Sequence, residues 1–300
     1  MDFTLSDQQV ALKQSVQKFA QKELPDIARQ IEESDEPPGI ELRKRYAELG
    51  YLGVNLDEKY GGAGMSHLDA VIVLEEIAKV SIAVAFPIFE SCFGPSLAIA
   101  HFGSDQLREK ILPRVCSGEI VVAVSMSEPD AGSALTDLTT QARVESDRLV
   151  VNGNKRWCSG AGHSEAYVVY CRMDDIPGAK GIGAVVIEKG SEGFSFGKRD
   201  HHMGFRGVAS ADMYFDDVEV PKENVLVAAG GFSKLMDAFD LERCGNTTMS
   251  LAVAQSAFDY VLQYSQERRQ FGKSLIDFQA VQLQIAEMKM RLEAARLLLY

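Results

Sequence analysis

The chain has 300 residues, 46% of them hydrophobic and 25% charged, which is enough to bury a substantial core in one or two domains. Its formal charge of −12 repels nucleic acid and anionic membrane as a whole and leaves room only for a local basic patch toward a phosphorylated ligand. Apolar stretches such as Ile120 to Val124 and Leu297 to Leu299 fall far short of the ~20 residues of a bilayer span, and five cysteines without a C-x-x-C pair argue against a zinc site or a disulfide framework.

The opening Met1-Asp2-Phe3 lacks the basic start and continuous apolar run of a secretion signal. A cytoplasmic protein is expected, with Cys92, Cys116, Cys158, Cys171 and Cys244 as small core residues. Leu5-Ser6-Asp7-Gln8-Gln9-Val10 reads as a helix start: Ser6 caps, Gln9 reaches back as in a capping box, and Leu5 staples against Val10. Helical patterns recur at Glu41 to Leu49, His67 to Lys79 and Ser104 to Val115, separated by Pro37-Pro38 and by the loop Tyr60-Gly61-Gly62-Ala63-Gly64. From about Ile120 the texture changes to short β-rich runs: Ile120 to Val124, Leu149 to Val151, Tyr167 to Cys171, Gly183 to Ile187 and Met213 to Phe215. Asn152-Gly153 reads as a hairpin turn between two of them. The helical period returns after Gly231 without prolines, predicting two long helices broken around Phe271-Gly272-Lys273-Ser274. In the second, Val281, Ile285, Met288, Leu292, Ala295 and Leu299 form a lengthwise packing seam that reaches the last residue, Tyr300, without a stop signal, so a longer C-terminal part is expected. The fold class is therefore α+β: an N-terminal helical domain over 1–119, a small β domain over 120–230, and the start of a C-terminal helical bundle over 231–300.

Common nucleotide signatures are missing. No G-x-G-x-x-G follows a strand, and Gly272-Lys273-Ser274 has Glu267 where a phosphate loop needs its upstream glycine. The histidines show no metal-ligand spacing, and His201-His202 reads as a loop pair. Ser125-Met126-Ser127-Glu128-Pro129-Asp130-Ala131-Gly132-Ser133 leaves a strand for a loop of small residues whose backbone amides suit an anionic or heteroaromatic ligand, or form only a serine-rich turn. Trp157, the only tryptophan, stands near Ser159, either at a site or as a lid on the β core. After Gly231, Leu235, Phe239, Glu242, Asn246, Met249, Val253, Ala257, Tyr260 and Tyr264 advance by four and three, which puts Glu242 in an inward stripe. Desolvation there raises a carboxyl toward the range of a general base, unless an arginine such as Arg206 pairs with it. Gly245, Asn246, Thr247 and Thr248 weaken the next turn, as suits close packing by another body.

In order along the chain from Phe3 to Tyr300, these segments resemble the acyl-CoA dehydrogenase family. The strings that carry the resemblance are Tyr60-Gly61-Gly62-Ala63-Gly64, Ser127-Glu128-Pro129-Asp130-Ala131-Gly132-Ser133, Asn152-Gly153-x-Lys155-x-Trp157, Phe215-Asp216-Asp217-Val218-x-Val220-Pro221 and Glu267-Arg268-Arg269-Gln270-Phe271-Gly272-Lys273. The resemblance implies FAD in a crevice between the domains, a C-terminal four-helix bundle, and tetramers or dimers. It implies that Ser127, Trp157 and Ser159 surround the flavin ring, and that Ser133 contacts the phosphate or pantetheine region. Arg268, Gln270 and Phe271 would reach the FAD of a neighbouring subunit, and Asp240 and Arg243 would lie near the CoA moiety and the base. Ala134 departs from the aspartate usual after Gly132-Ser133. The family places its glutamate base at one of two positions. One lies beyond residue 300; the other, of isovaleryl-type and long-chain-type members, matches Glu242 in Phe239-Asp240-Leu241-Glu242-Arg243. The implied reaction removes hydrogens from the α and β carbons of an acyl-CoA, with electrons passed to an electron-transfer flavoprotein. An acyl-CoA oxidase, a nitroalkane-oxidase-like flavoenzyme and a non-catalytic helical binding protein are the rival readings. The acyl pocket is expected between Phe86 to Phe93 and the helix from Phe239 onward.

Overall fold

A computed structural model describes residues 3–300, so Met1 and Asp2, the start of the segment read for a secretion signal, lie outside the described residues. Helices fill the first third: α1 (Asp7–Glu23), α2 (Pro25–Ser34), α3 (Ile40–Glu48), α4 (His67–Ala78), α5 (Ile82–Cys92), α6 (Pro95–Phe102) and α7 (Asp105–Cys116). The start of α1 is capped as its sequence predicts, the Gln9 amide donating to the Ser6 hydroxyl at 3.3 Å and the Ser6 amide to Gln9 Oε1 at 3.0 Å. Helices α3, α4 and α7 fall where the periodicity puts them. By contrast, α5 and α6 gave no periodic signal because they are apolar nearly all round. Together Ile82–Phe102 are long and apolar enough to cross a membrane by composition, and 89% of that stretch is buried inside the fold.

The middle third is one eight-stranded sheet: β1 (Val122–Ser125), β2 (Gln141–Val144), β3 (Arg148–Ser159), β4 (Ala166–Met173), β5 (Ile182–Glu188), β6 (Phe194–Phe196), β7 (Ser210–Pro221) and β8 (Val225–Val227). Strand β4 alternates Ala166, Val168 and Tyr170 toward a core shared with α6 and α7, and Tyr167, Val169 and Cys171 toward the opposite core. Burial on both faces explains why this strand reads as a continuous apolar run. Both β1 and β2 pair in parallel with β4, at Val122↔Ala166 through Ser125↔Val169 and at Gln141↔Arg172 and Ala142↔Met173. The chain thus follows one edge of β4, leaves it at Met126 and rejoins it at Gln141. That excursion carries Ser127 to Ser133.

The structure departs from the sequence pattern at two places. Asn152-Gly153 is no hairpin turn: both residues lie within β3, opposite β7, where the register shifts between Val151 and Gly153. Gly153 has φ 140° and a Cβ there would lie 2.6 Å from Thr140 Cα, so the glycine serves a bulge against a crowded neighbour. The sharp reversal before β3 is at Glu145 to Arg148, closed by the Glu145 amide donating to the Arg148 carbonyl. The second departure is in α8 (Phe232–Glu267), one 36-residue helix. Its predicted stripe holds at Leu235 and Met249, but Val253, Tyr260 and Tyr264 are exposed. The buried side turns instead through Gly245, Thr248, Ala252 and Phe258, because α4, α5 and the last helix meet it there.

Beyond α8, the strands β9 (Arg269–Gln270) and β10 (Lys273–Ser274) form a two-residue hairpin, and α9 (Gln279–Leu299) follows. The predicted break between two long helices is at this hairpin. Phe271 and Gly272 have φ 50° and 80°, the positive pair that a tight hairpin turn requires. Leu292 of the predicted seam is buried with Leu251 and Phe258, and Ile285, Met288, Ala295 and Leu299 pack around them. Arg296 ties α9 to α4 through Glu75 at 2.9 Å. Among the described residues Cys92, Cys116, Cys158 and Cys171 are buried as expected, Cys244 is half-buried, and no His, Cys, Asp and Glu group has the arrangement of a metal site.

Candidate active site

Where α5, the bulged end of β3, the excursion after β1 and α8 converge, they enclose a cavity of about 200 Å³. Each wall traces to a local feature of the sequence. On the sheet side, the register of β3 against β7 slips between Lys155 and Cys158, and Trp157 sits in the slip with φ 56°. A bulge re-aims its side chain out of the sheet, so the indole is 61% exposed at the cavity edge. Ser159, two residues on, and Ser127 line the same space.

Ser127 is held by a buried ion pair that the sequence reading missed. The Lys155 ammonium donates to Glu128 Oε1 at 2.8 Å and to the Met126 carbonyl at 2.9 Å. The Thr139 amide and hydroxyl and the Thr140 amide also donate to the Glu128 carboxylate. Burial alone would raise the Glu128 carboxyl, but the Lys155 charge and these donors outweigh it and hold it at about 2. The Arg156 amide then donates to the Ser127 carbonyl at 2.9 Å, which fixes the loop to the strand that carries Trp157. Glu and Lys in adjacent motif strings were the available signal.

On the helical side, Glu242 of α8 faces the cavity, with Phe86, Phe89 and Glu90 of α5 lining it as well. Gly245, one turn after Glu242, allows this approach: a Cβ there would lie 2.7 Å from Phe93 Cβ and 2.8 Å from the Phe89 ring. Burial pushes the Glu242 carboxyl up to about 7, against the opposing charge of Arg243. Arg206 does not pair with it; its guanidinium donates to the Glu32 carbonyl at 2.8 Å and lies 3.5 Å from the Glu32 carboxylate. The carboxyl is therefore poised to exchange a proton near neutrality, with two hydroxyls and an indole across the cavity.

The remaining expected site residues lie outside the lining. Ser133 is exposed at the tip of the excursion, and Asp240 and Arg243 are exposed on α8, the Arg243 guanidinium resting 4.5 Å from the Phe239 ring centroid. Arg268, Gln270 and Phe271 stand at the far end of α8, about 37 Å from Glu242 at the rise of an α-helix, and Phe271 is 93% exposed. Within one chain they do not join the cavity. Phe205, Asn246 and Glu90 line it without having been anticipated individually, and the signal for Glu90 was a lone acid in an apolar run.

Comparisons with known proteins agree with this architecture. Residues 6–119, 123–218 and 229–300 match the models of the acyl-CoA dehydrogenase N-terminal, middle and C-terminal domains. The chain is 37% identical over 299 residues to a caffeyl-CoA reductase-Etf complex subunit, CarC, of Acetobacterium woodii, an alignment that covers 98% of this chain and 78% of the relative. It is 34% identical to a short-chain-specific acyl-CoA dehydrogenase of Clostridium acetobutylicum, over 100% of this chain and 79% of the relative. Isovaleryl-CoA dehydrogenase of Arabidopsis thaliana is 36% identical, with 98% and 72% covered. Among solved structures, butyryl-CoA dehydrogenase from Megasphaera elsdenii superposes with a TM-score of 0.94 at 32% identity, covering 100% of this chain and 79% of that one. An FAD complex of PigA gives a TM-score of 0.94 at 26% identity, with the same coverage. With all three parts matched in order along the chain, and with relatives above 30% identity along nearly its whole length, this chain belongs to the acyl-CoA dehydrogenase family of oxidoreductases.

Proposed function

We propose that the protein catalyses FAD-dependent α,β-dehydrogenation of an acyl-CoA thioester to the trans-2-enoyl-CoA, with Glu242 as the base that takes the α-proton. The observation that carries this reading is a half-buried carboxyl, raised to about 7, facing Ser127, Trp157 and Ser159 across one cavity. A flavin ring fits those residues: an exposed indole and two hydroxyls lining one cavity suit a flat heteroaromatic group with polar edge atoms. When bound, FAD supplies a hydride acceptor for the β carbon. Ser127 and Ser159 hold and orient the ring beside Trp157, and Ser133 at the loop tip is available to a phosphate or pantetheine. Glu242 abstracts the α-proton from Cα as the Cα–Cβ double bond forms, and Asp240 and Arg243 stand near the path of the CoA. Apolar Phe86 and Phe89 exclude water from the acyl end.

The electron acceptor we propose is an electron-transfer flavoprotein, a reading supported by the relative that is named as a subunit of an Etf complex. Homotetramers or dimers complete the proposal, with Arg268, Gln270 and Phe271 reaching a neighbour's FAD, and the cytoplasm is the proposed compartment on the sequence grounds given above. The test is reduction of the protein's flavin by acyl-CoA thioesters without oxygen, followed by reoxidation with an electron-transfer flavoprotein. Bleaching by a thioester and fast reoxidation by that carrier are expected. Absence of bleaching by every thioester would overturn the reaction, and stoichiometric peroxide under air would overturn the acceptor.

A further inference from the structure

The loop between β6 and β7 brings to the cavity an aromatic ring for which the reaction itself has no use. Phe205 lines the cavity beside Phe86 and Phe89 of α5, and its backbone has φ 61°. A bulky side chain rarely adopts this left-handed conformation, which costs free energy unless the surroundings impose it. Here α2 and the turn that ends it impose it from both sides. Ahead of Phe205, Arg199 and His201 pair with the Asp35 carboxylate at 3.4 and 3.3 Å. After it, the Arg206 guanidinium donates to the Glu32 carbonyl at 2.8 Å and the Gly207 amide to the Asp35 carboxylate at 3.0 Å. A Cβ on Gly207 would collide with Ile31, so the loop lies directly on the helix.

The Phe205 ring is thereby set edge-on to Phe86, with 5.7 Å between centroids and 87° between planes, and Phe86 leads on to Phe89 at 5.6 Å and 31°. Three rings form one continuous row along the cavity. Phe205 and Phe86 keep part of their surface open, Phe205 39% of it, while Phe89 is buried. An aliphatic side chain would give an apolar guest the same shelter from water, and glycine would remove the cost of the left-handed backbone. What an aromatic side chain adds is a quadrupole, which attracts another ring edge-on or offset at about 4.5–7 Å between centroids.

A guest ring beside Phe205 and Phe86 would extend that row. We propose that Phe205 is a specificity-determining residue and that the preferred thioester carries an aromatic ring beyond its β carbon, seated against Phe205 and Phe86. The inference rests on the acyl-CoA dehydrogenation proposed above and names its substrate class.

The test compares anaerobic flavin reduction of the holoprotein by 4-phenylbutanoyl-CoA, 4-cyclohexylbutanoyl-CoA and butanoyl-CoA, for wild type, Phe205→Leu and Phe205→Tyr. The two ring-bearing thioesters have similar bulk, and neither ring is attached to a reacting carbon, so their ratio isolates aromatic contact. Wild type should favour the phenyl thioester on the order of tenfold in kcat/KM, since each ring pair contributes about two- to tenfold beyond area alone. Phe205→Leu should cut that preference about two- to tenfold, chiefly through KM, and Phe205→Tyr, which keeps a ring, should retain most of it. A wild-type ratio near one, a preference unchanged in Phe205→Leu, or equal losses in both variants would overturn the inference. Bleaching by butanoyl-CoA but by neither ring-bearing thioester would overturn it while leaving the reaction intact. If no thioester of any kind bleaches the flavin, the reaction itself fails and the inference falls with it. Should Phe205→Leu not fold, the wild-type ratio and Phe205→Tyr still decide.

Discussion

At the residue scale, Glu242 links reactivity to stability through one equilibrium. A base must be deprotonated to act, so flavin reduction by a good thioester should rise with pH through about 7 and level off above it. The same shift acts on folding with a definite sign. Because the folded carboxyl is raised from 4.5 to about 7, its contribution to stability is fully present below pH 4.5 and is lost as pH rises through 7. That interval corresponds to about 3 kcal/mol. Urea unfolding of wild type and Glu242→Gln should therefore give the mutant an advantage that grows by about this amount between pH 4.5 and pH 8, whereas a constant difference would mean the carboxyl is not raised. The Lys155–Glu128 pair behaves oppositely, since both groups are buried and matched. Lys155→Met should cost about 3–5 kcal/mol by stranding the carboxylate, and Lys155→Met combined with Glu128→Gln should cost less. Thermal unfolding of the single and double variants separates the two cases.

At the element scale, the decisive contact is α8 against α5. Gly245→Ala would drive a methyl group into Phe93 and Phe89, and overpacking of this kind costs about 1–3 kcal/mol. It should also pull Glu242 away from the cavity, so slower flavin reduction with unchanged flavin binding is the expected pair of results. Normal stability and rate would show that the helices have slack. This contact also marks the limit of what the sequence could tell. Caps and periods located α1, α3, α4, α7, the break after α8 and the existence of the β region, because those signals are local. The buried turn of α8 beyond Met249 depended on which neighbours meet it, and the stripe of Val253, Tyr260 and Tyr264 has the same period on another face. Asn152-Gly153 misled for a related reason: glycine at positive φ serves bulges as well as turns, and only pairing with β7 distinguishes them. Of the expected site, Ser127, Trp157, Ser159 and Glu242 converge, whereas Glu90 was hidden in a run whose apolar neighbours mask its spacing.

At the scale of the whole molecule, the helical half and the sheet are clamped together around the cavity. Arg43 of α3 donates to both oxygens of Glu165, at 2.9 and 3.1 Å, and the Val121 amide donates to the same carboxylate at 2.7 Å, directly ahead of the strand that leads to Ser127. The far end of α8 presents Phe271 and Tyr260 to solvent, well away from that cavity. If these surfaces serve a neighbouring subunit, Phe271→Asp should weaken assembly and FAD retention together, read by sedimentation and by released flavin fluorescence, while loss of FAD from an intact oligomer would separate the two. Anaerobic flavin reduction by an acyl-CoA thioester in wild type and Glu242→Gln decides whether Glu242 is the base. We predict that the mutant binds the same thioester but reduces its flavin about 10²–10⁴-fold more slowly, the usual contribution of a general base. Reduction at the wild-type rate would contradict the assignment and leave Glu242 a structural acid.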